Sequence, residues 1–510
     1  MSQHYLIGID VGTQGTKAAL FSADGTRLAE SFQKSNLLKQ VPGVIEEDPE
    51  EQLLAVCKAI KGCLENFDGN PSDVAGLALD GQMAGIIGID DQGKNITPYD
   101  SWLDTRCAPY IQKMERSAGN EIIRLNGGPA SFNHGPKKLW WKHERPEIYK
   151  NIRAFVQPSG YVAMRLCGLK GDDAFIDPSY LHFSGFADNL NNRWDEGLCQ
   201  EFNLDIDKLP RIVRCSEQVG TIIAEMAQRC GLTAGTPVIA GCGETIASFL
   251  SSGGIQPGIC IDVAGTASVF ACATERYTPD TLNRTLSFAH SAVPGLWYGY
   301  AYINGGGMNL EWFSKEIARL DHKKDIGSSS GWDDLAHLAS LIEPTAHSPM
   351  FIPHLGGRNS PAQPQLRGAW VNLDWADSIG ALYRAMLEGV ALEYRLYLAT
   401  CQHLIADFTA TKIRVTGGGG KSGLWNQIKA DVLDVPVTQV NRSEGAPLGV
   451  AMIAGYGVGL FKDLGTAADL WLSVGSQTDP NPELRSYYDK RAEQYERLID
   501  SLYSWHIDGN

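Results

Sequence analysis

Apolar positions alternate through Tyr5-Leu-Ile-Gly-Ile-Asp-Val11, pause over Gly12-Thr-Gln-Gly15, and resume through Ala18-Ala-Leu-Phe21. A period of two on both sides of a turn whose glycines permit tight reversal predicts a β-hairpin. The same pattern returns at Ile259-Cys-Ile-Asp-Val-Ala-Gly-Thr-Ala-Ser-Val-Phe270. One supersecondary unit used twice, each copy opening a half-chain, predicts a duplicated fold divided into residues 1–252 and 253–510. Ser251-Ser-Gly-Gly254 reads as a hinge, since no Pro/Ser-rich tether separates the halves.

Between the hairpins, Arg27–Gln33 predicts a third strand, and the acidic run Glu46–Glu51 predicts a helix start with Leu53, Leu54, Val56 and Ile60 on its apolar face. No binding role is assigned to that acidic run. Strands are expected at Val74–Leu79 and Gly85–Ile89, and Pro237–Ser248 reads as strand, glycine turn and helix. The stretch from Pro136 to Asp195 looks like an elaboration inserted into the first half, with Trp140, Trp141 and Trp194 as packing. In the second half, strands are expected at Leu286–Ala292 and Trp297–Ile303, followed by Asn304-Gly-Gly-Gly-Met308 leading into a helix. Ser378–Thr400 carries Leu382, Met386, Leu387, Val390 and Tyr394 on one helical side, Ile413–Asn426 repeats strand, glycine turn and helix, and Glu483–Tyr503 closes the chain as a helix. The class is α/β.

Composition narrows the partners. A net charge of −15 over 510 residues argues against nucleic acid or an anionic membrane surface as partner. No apolar run is long enough to span a bilayer and no charged-then-apolar leader precedes the first strand, so a cytoplasmic protein is expected. The eleven cysteines include no Cys-x-x-Cys pair, which suits reduced thiols; Cys242 reads as a small buried residue.

Candidate chemistry lies at strand ends. Exposed amides in the Gly12–Gly15 turn suit phosphate oxygens, to which Thr13 and Gln14 add a hydroxyl and an amide and Lys17 a positive charge. Asp10 is placed to meet a magnesium ion through water. The alternative is an ordinary surface hairpin. Gln82, Met83, Trp102, Asp104 and Arg106 offer an apolar wall with polar groups for a small polyhydroxylated substrate; alternatively Met83 and Trp102 are core and Arg106 pairs with Asp104. Asp177 is a further substrate-side candidate. Glu244 is placed to orient a phosphoryl acceptor and take its proton, or else serves only as a helix-start acid. The four glycines 417–420 let a flat ring approach the backbone, with Asn426 to hydrogen-bond it; a solvent turn is the alternative.

These stretches, with Ile9-Asp-Val-Gly-Thr-Gln-Gly-Thr-Lys17, Gly81-Gln-Met83, Trp102–Arg106, Leu139–Lys142, Ala240–Glu244, Gly265-Thr266, Pro353–Arg358, Arg384–Gly389, Val415–Gly419 and Trp425–Gln427 in order, resemble the FGGY family of carbohydrate kinases over nearly the whole chain. Within it they are most similar to the xylulokinases. The resemblance implies two ribonuclease-H-like domains of the actin/hexokinase type flanking a cleft, with ATP and Mg2+ as cosubstrate and a ketopentose such as D-xylulose as phosphoryl acceptor; it leaves a homodimer open. It implies Asp10 near the metal, Thr13 and Gln14 near the transferred phosphate, Gly265 and Thr266 near the phosphates from the other domain, Gly418, Gly419 and Asn426 near the adenine, and Glu244 as base. Three departures from the family pattern stand out: Glu244 replaces an aspartate and Thr245 an asparagine beside it, Ala84 replaces a sugar-contacting histidine, and Gly357 a glutamate. Those beside the sugar imply an acceptor other than D-xylulose, another sugar or polyol, or a looser preference, and the Glu244 exchange leaves a catalytically weak sugar- or nucleotide-binding member of the same fold as the alternative.

Overall fold

The computed structural model describes residues 4–319, 330–442 and 444–508. Alternating apolar runs form the first sheet from β1 (Tyr5–Val11), β2 (Gly15–Ser22), β3 (Arg27–Lys34), β4 (Val74–Gly81), β5 (Gln218–Thr221) and β6 (Pro237–Gly243), in the order β5-β6-β4-β1-β2-β3. β1 pairs antiparallel with β2 and parallel with β4, and β4 pairs parallel with β6. The second sheet contains β7 (Ile259–Ala264), β8 (Ser268–Thr274), β9 (Ser287–His290), β10 (Trp297–Ile303), β11 (Lys412–Thr416), β12 (Val437–Val440) and β13 (Val474–Thr478), ordered β9-β10-β8-β7-β11-β12-β13. Here too the hairpin β7–β8 is antiparallel while β7, β11 and β12 run parallel. Both halves therefore share one plan: an antiparallel meander on one side of the opening strand and parallel strands on the other.

Helix α1 (Pro49–Glu65) covers the first sheet with Leu53, Val56 and Ile60, all buried, whereas Leu54 is 47% exposed. The acidic run is shorter as a helix start than its composition suggests. Asp48 caps the helix by accepting from the Glu50 amide (2.9 Å), and Glu46 and Glu47 belong instead to a short strand, Val44–Glu47, whose side chains turn inward. Residues between β4 and β5 form the elaboration, including α2 (His134–Glu144).

Two short apolar helices, α3 (Glu244–Ser251) and α7 (Ala446–Gly457), lie between the sheets; α4 (Gly306–Trp312), α5 (Ile379–Leu404), α6 (Gly423–Leu433) and α8 (Arg485–Asp508) complete the second half. Leu6, Phe21 and Ala78 of the first sheet, Ile246 and Leu250 of α3, Val450 and Ile453 of α7, and Ile261 and Ala271 of the second sheet form one continuous core. Gly8 permits this contact, because a Cβ there would sit 1.8 Å from the Pro447 carbonyl oxygen. Packing thus runs across the 252/253 division: a helix from the second half completes the first sheet's apolar face. Among the described residues no helix is long and apolar enough to cross a membrane.

Candidate active site

Three neighbouring parallel strands bring carboxylates to their C-terminal ends, where ligands of α/β sheets usually sit. Asp10 on β1 is the register partner of Asp80 on β4, Asp80 is also opposite Cys242 on β6, and Glu244 begins α3 directly after β6. Burial and the neighbouring Asp10 charge push the Glu244 carboxyl up to about 8. Burial likewise raises Asp10 to about 6, against the opposing pull of a hydrogen bond from Asp80 and of Lys17, and holds Asp80 well above the ordinary range. Apart from the contact between these two carboxyls, Asp10 Oδ1 and both Asp80 oxygens are buried without a hydrogen-bond partner. Hard, uncompensated oxygens of this kind fit a divalent cation. Among the described residues no three His, Cys, Asp or Glu side chains converge to chelate one directly, so the fit is to a cation that keeps its water shell.

The Gly12–Gly15 turn and the loop carrying Trp102 are physically joined. Trp102 Nε1 donates to Thr13 Oγ1 (2.9 Å), and the Thr13 hydroxyl donates to Gln82 Oε1 (3.1 Å). Gln82 Nε2 in turn donates to Glu47 Oε1 (2.8 Å), whose other oxygen accepts from Gln52 (3.2 Å). Trp102 stays 47% exposed while Gln82 is buried, so the chain of bonds runs from the open surface into the first domain. Gln14 is exposed, and Lys17, opposite Asp10 in the hairpin register, pairs with Glu30 (3.1 Å).

Asp104 and Arg106 are committed to each other. Arg106 Nε donates to both Asp104 oxygens (2.9 Å each), and its Nη2 reaches Glu46 (2.5 Å) and Asp100 (3.3 Å). Asp104 also accepts the Ile45 amide (2.8 Å), and Trp140 lies 4.8 Å from the guanidinium. These groups brace the loop that presents Trp102. Glu46 and Glu47, given no role from sequence, are what anchor it.

Glu244 is positioned from behind. Asp177 accepts from the Ser179 amide and hydroxyl (2.9 Å each), and Ser179 Oγ accepts the Gly243 amide (2.8 Å), the residue before Glu244. Tyr180 OH lies 3.3 Å from the carbonyls of Gly81 and Cys242, tying β4 to β6. Met83, 7% exposed, fills the space over Gly243, where its sulfur would be 2.0 Å from an added Cβ. Its carbonyl accepts from His134 Nε2 of α2 (2.7 Å), a histidine that burial keeps neutral. Thr245, partly buried, follows Glu244 in the first turn of α3.

On the opposite side, Gly265 and Thr266 form the turn of β7–β8, locked by the Gly307 amide donating to Gly265 O (3.0 Å) and the Met308 amide to Thr266 O (3.1 Å). Thr266 is exposed. The glycine run after β11 opens with Gly417 at φ +85°, where a Cβ would also strike the Ala264 carbonyl (2.7 Å). Gly418 faces open space, while Gly419 lies against Trp425. Asn426 Nδ2 donates to Gly420 O (2.8 Å), and its Oδ1 is buried with no partner. A flat base bearing an amino group fits that bare backbone and orphaned acceptor.

Sequence reading passed over Asp80, Glu46, Glu47 and His134. Asp80 alone left a signal: it is a charge ending the otherwise apolar run Val74–Leu79.

Models of the FGGY family of carbohydrate kinases match the chain twice, the N-terminal domain at residues 5–251 and the C-terminal domain at 262–458. The xylulose kinase of Staphylococcus epidermidis is 26% identical over 510 residues, covering 99% of this chain and 97% of that protein. The gluconokinase of Bacillus subtilis is 25% identical, covering 95% and 93%. The solved xylulose kinase of Rhodospirillum rubrum superposes with a TM-score of 0.89 at 23% identity, over 99% of this chain and all of that one. With both family models matched in order, and the two-sheet fold shared with solved members, the chain belongs to the FGGY family of carbohydrate kinases.

Proposed function

We propose that the protein transfers the γ-phosphoryl group of ATP to a hydroxyl of a ketopentose such as D-xylulose, with Glu244 as general base. The observation that carries this reading is the placement of Glu244 at the start of α3, directly after β6 and beside Asp10. Glu244 takes the proton of the sugar hydroxyl while that oxygen bonds to the γ-phosphorus and the bond to the ADP oxygen breaks. Burial and the neighbouring Asp10 raise this carboxyl above the ordinary range, so its ionised form is a stronger base than an exposed glutamate. Thr13, Gln14 and Lys17 hold the phosphate from one hairpin and Gly265 and Thr266 from the other; Gly418, Gly419 and Asn426 take the adenine. Asp10 would hold a magnesium ion through water, and such an ion would supply charge neutralisation for the phosphate oxygens. Gln82, Met83, Trp102 and Thr245 line the sugar side, with Asp104 and Arg106 bracing Trp102. Closing the halves excludes water as a competing acceptor.

The name most frequent among similar proteins supports xylulose, while gluconokinase among them and Ala84 in this chain keep the acceptor open to other polyols. The test is ADP release with ATP and Mg2+ across D-xylulose, L-xylulose, both ribuloses, gluconate, glycerol and sugar-free buffer. One acceptor raising the rate well above buffer is expected. Equal rates in all of them would overturn the reading.

A further inference from the structure

Asp80 is the carboxylate that the proposed reaction leaves unused. It is fully buried, and it lies at the register position directly beside Asp10 on one strand and Cys242 on the next. Its ionisable neighbours are Asp10 and Glu244, both acidic. Lys17 faces Asp10 from the far strand and is itself paired with Glu30 (3.1 Å). The nearby Tyr180 hydroxyl is turned to Ser159 Oγ and to the carbonyls of Gly81 and Cys242. Apart from the contact between the two carboxyls themselves, neither Asp80 oxygen, nor Asp10 Oδ1, has a hydrogen-bond partner, and no donor from the rest of the fold reaches them. Two facing buried carboxyls with no donor from the rest of the fold are strongly disfavoured as a pair of anions, so the pair holds either a shared proton or a cation from outside the chain.

We infer that Asp80 and Asp10 together anchor a hydrated divalent cation, so that the cation site spans two adjacent strand ends and forms before any nucleotide arrives. The chemistry of the set agrees. All the donors are hard oxygens, and a small divalent cation that keeps several waters is met by one or two carboxylates rather than by a closed cage. The inference deepens the kinase reading and rests on it for the cation's purpose, but its test does not depend on turnover.

Binding of Mn2+ to the full chain, without nucleotide or sugar, is followed by loss of the free-ion electron paramagnetic resonance signal in the wild type and in Asp80→Asn, Asp80→Ser and Asp10→Asn. Melting in EDTA is measured alongside. Expected is a weakening of about 10- to 100-fold in each variant, with the EDTA melting temperature of both Asp80 variants unchanged or higher. Wild-type affinity in Asp80→Asn, or no Mn2+ binding by the wild type, would overturn it. So would a lower EDTA melting temperature in both Asp80 variants, since the carboxylate would then be serving the fold. A chain that binds Mn2+ as expected yet phosphorylates no acceptor would sink the kinase reading alone.

Discussion

The two hairpins carry the same Ile-Asp-Val, and their aspartates are put to opposite use. Asp262 on β7 is fully buried, paired with Lys429 Nζ of α6 (2.5 Å) and accepting from the Tyr394 hydroxyl of α5 (2.8 Å). Its neighbour on the parallel strand is Val415. Asp10 on β1 has Asp80 as that neighbour, an oxygen without partner, and a lysine shared with Glu30. One aspartate is neutralised within the fold; the other has no cation committed to it alone. A repeated motif therefore marks a repeated fold, while the role of its acid is decided by what the adjacent strand and helix bring to it.

The largest way to sharpen this contrast lies on the open side. Glu244→Gln removes the proton acceptor without changing shape and is expected to slow sugar-dependent ADP release by about 100- to 10,000-fold, with melting unchanged or higher. A loss under tenfold would move the base elsewhere. On the closed side, Lys429→Met strands the Asp262 charge and should cost about 3–5 kcal/mol of stability, read by denaturant unfolding. Adding Asp262→Asn should restore much of it, whereas Lys17→Met, beside Asp10, should cost under about 1 kcal/mol.

Acid should divide the halves as well. The guanidinium of Arg358 and the ring of His354 hold Glu393 down at about 2 despite its burial. A depressed acid contributes stability above its unfolded value near 4.5 and loses it as pH falls toward 2. Wild-type stability should therefore fall with a Glu393-dependent slope in that window, and Glu393→Gln should flatten it. Asp10 has the reverse sign, because its raised value weakens the fold as pH climbs from about 4 through about 6. Asp10→Asn is expected to gain on the order of 1 kcal/mol at pH 7.5 in EDTA; a loss of stability would show that Asp10 is a structural acid like Asp262.

Periodicity made the hairpins, the β11–α6 glycine turn and the long helix α5 legible, because each is a local pattern read from neighbouring residues. It failed where long-range contacts decide. Leu54 fits a helical apolar stripe yet faces water, and Glu46 and Glu47, spelled like the first turn of a helix, run inward to Arg106 and Gln82. The motif residues Arg358 and Arg384 are as visible in sequence as Asp10, but they form buried ion pairs with Glu393 and Glu388.

The amino-acid order by itself determined the duplicated α/β plan, the glycine turns and the family resemblance, since alternation, turn chemistry and motif order are properties of contiguous residues. Only the tertiary structure decided which acids are spent on the fold and which stand open, that α7 of the second half completes the first sheet, and that Asp80 shares the floor of the site with Asp10. The charge state and availability of a side chain depend on partners drawn from strands and helices far away in the chain, and no local pattern contains them.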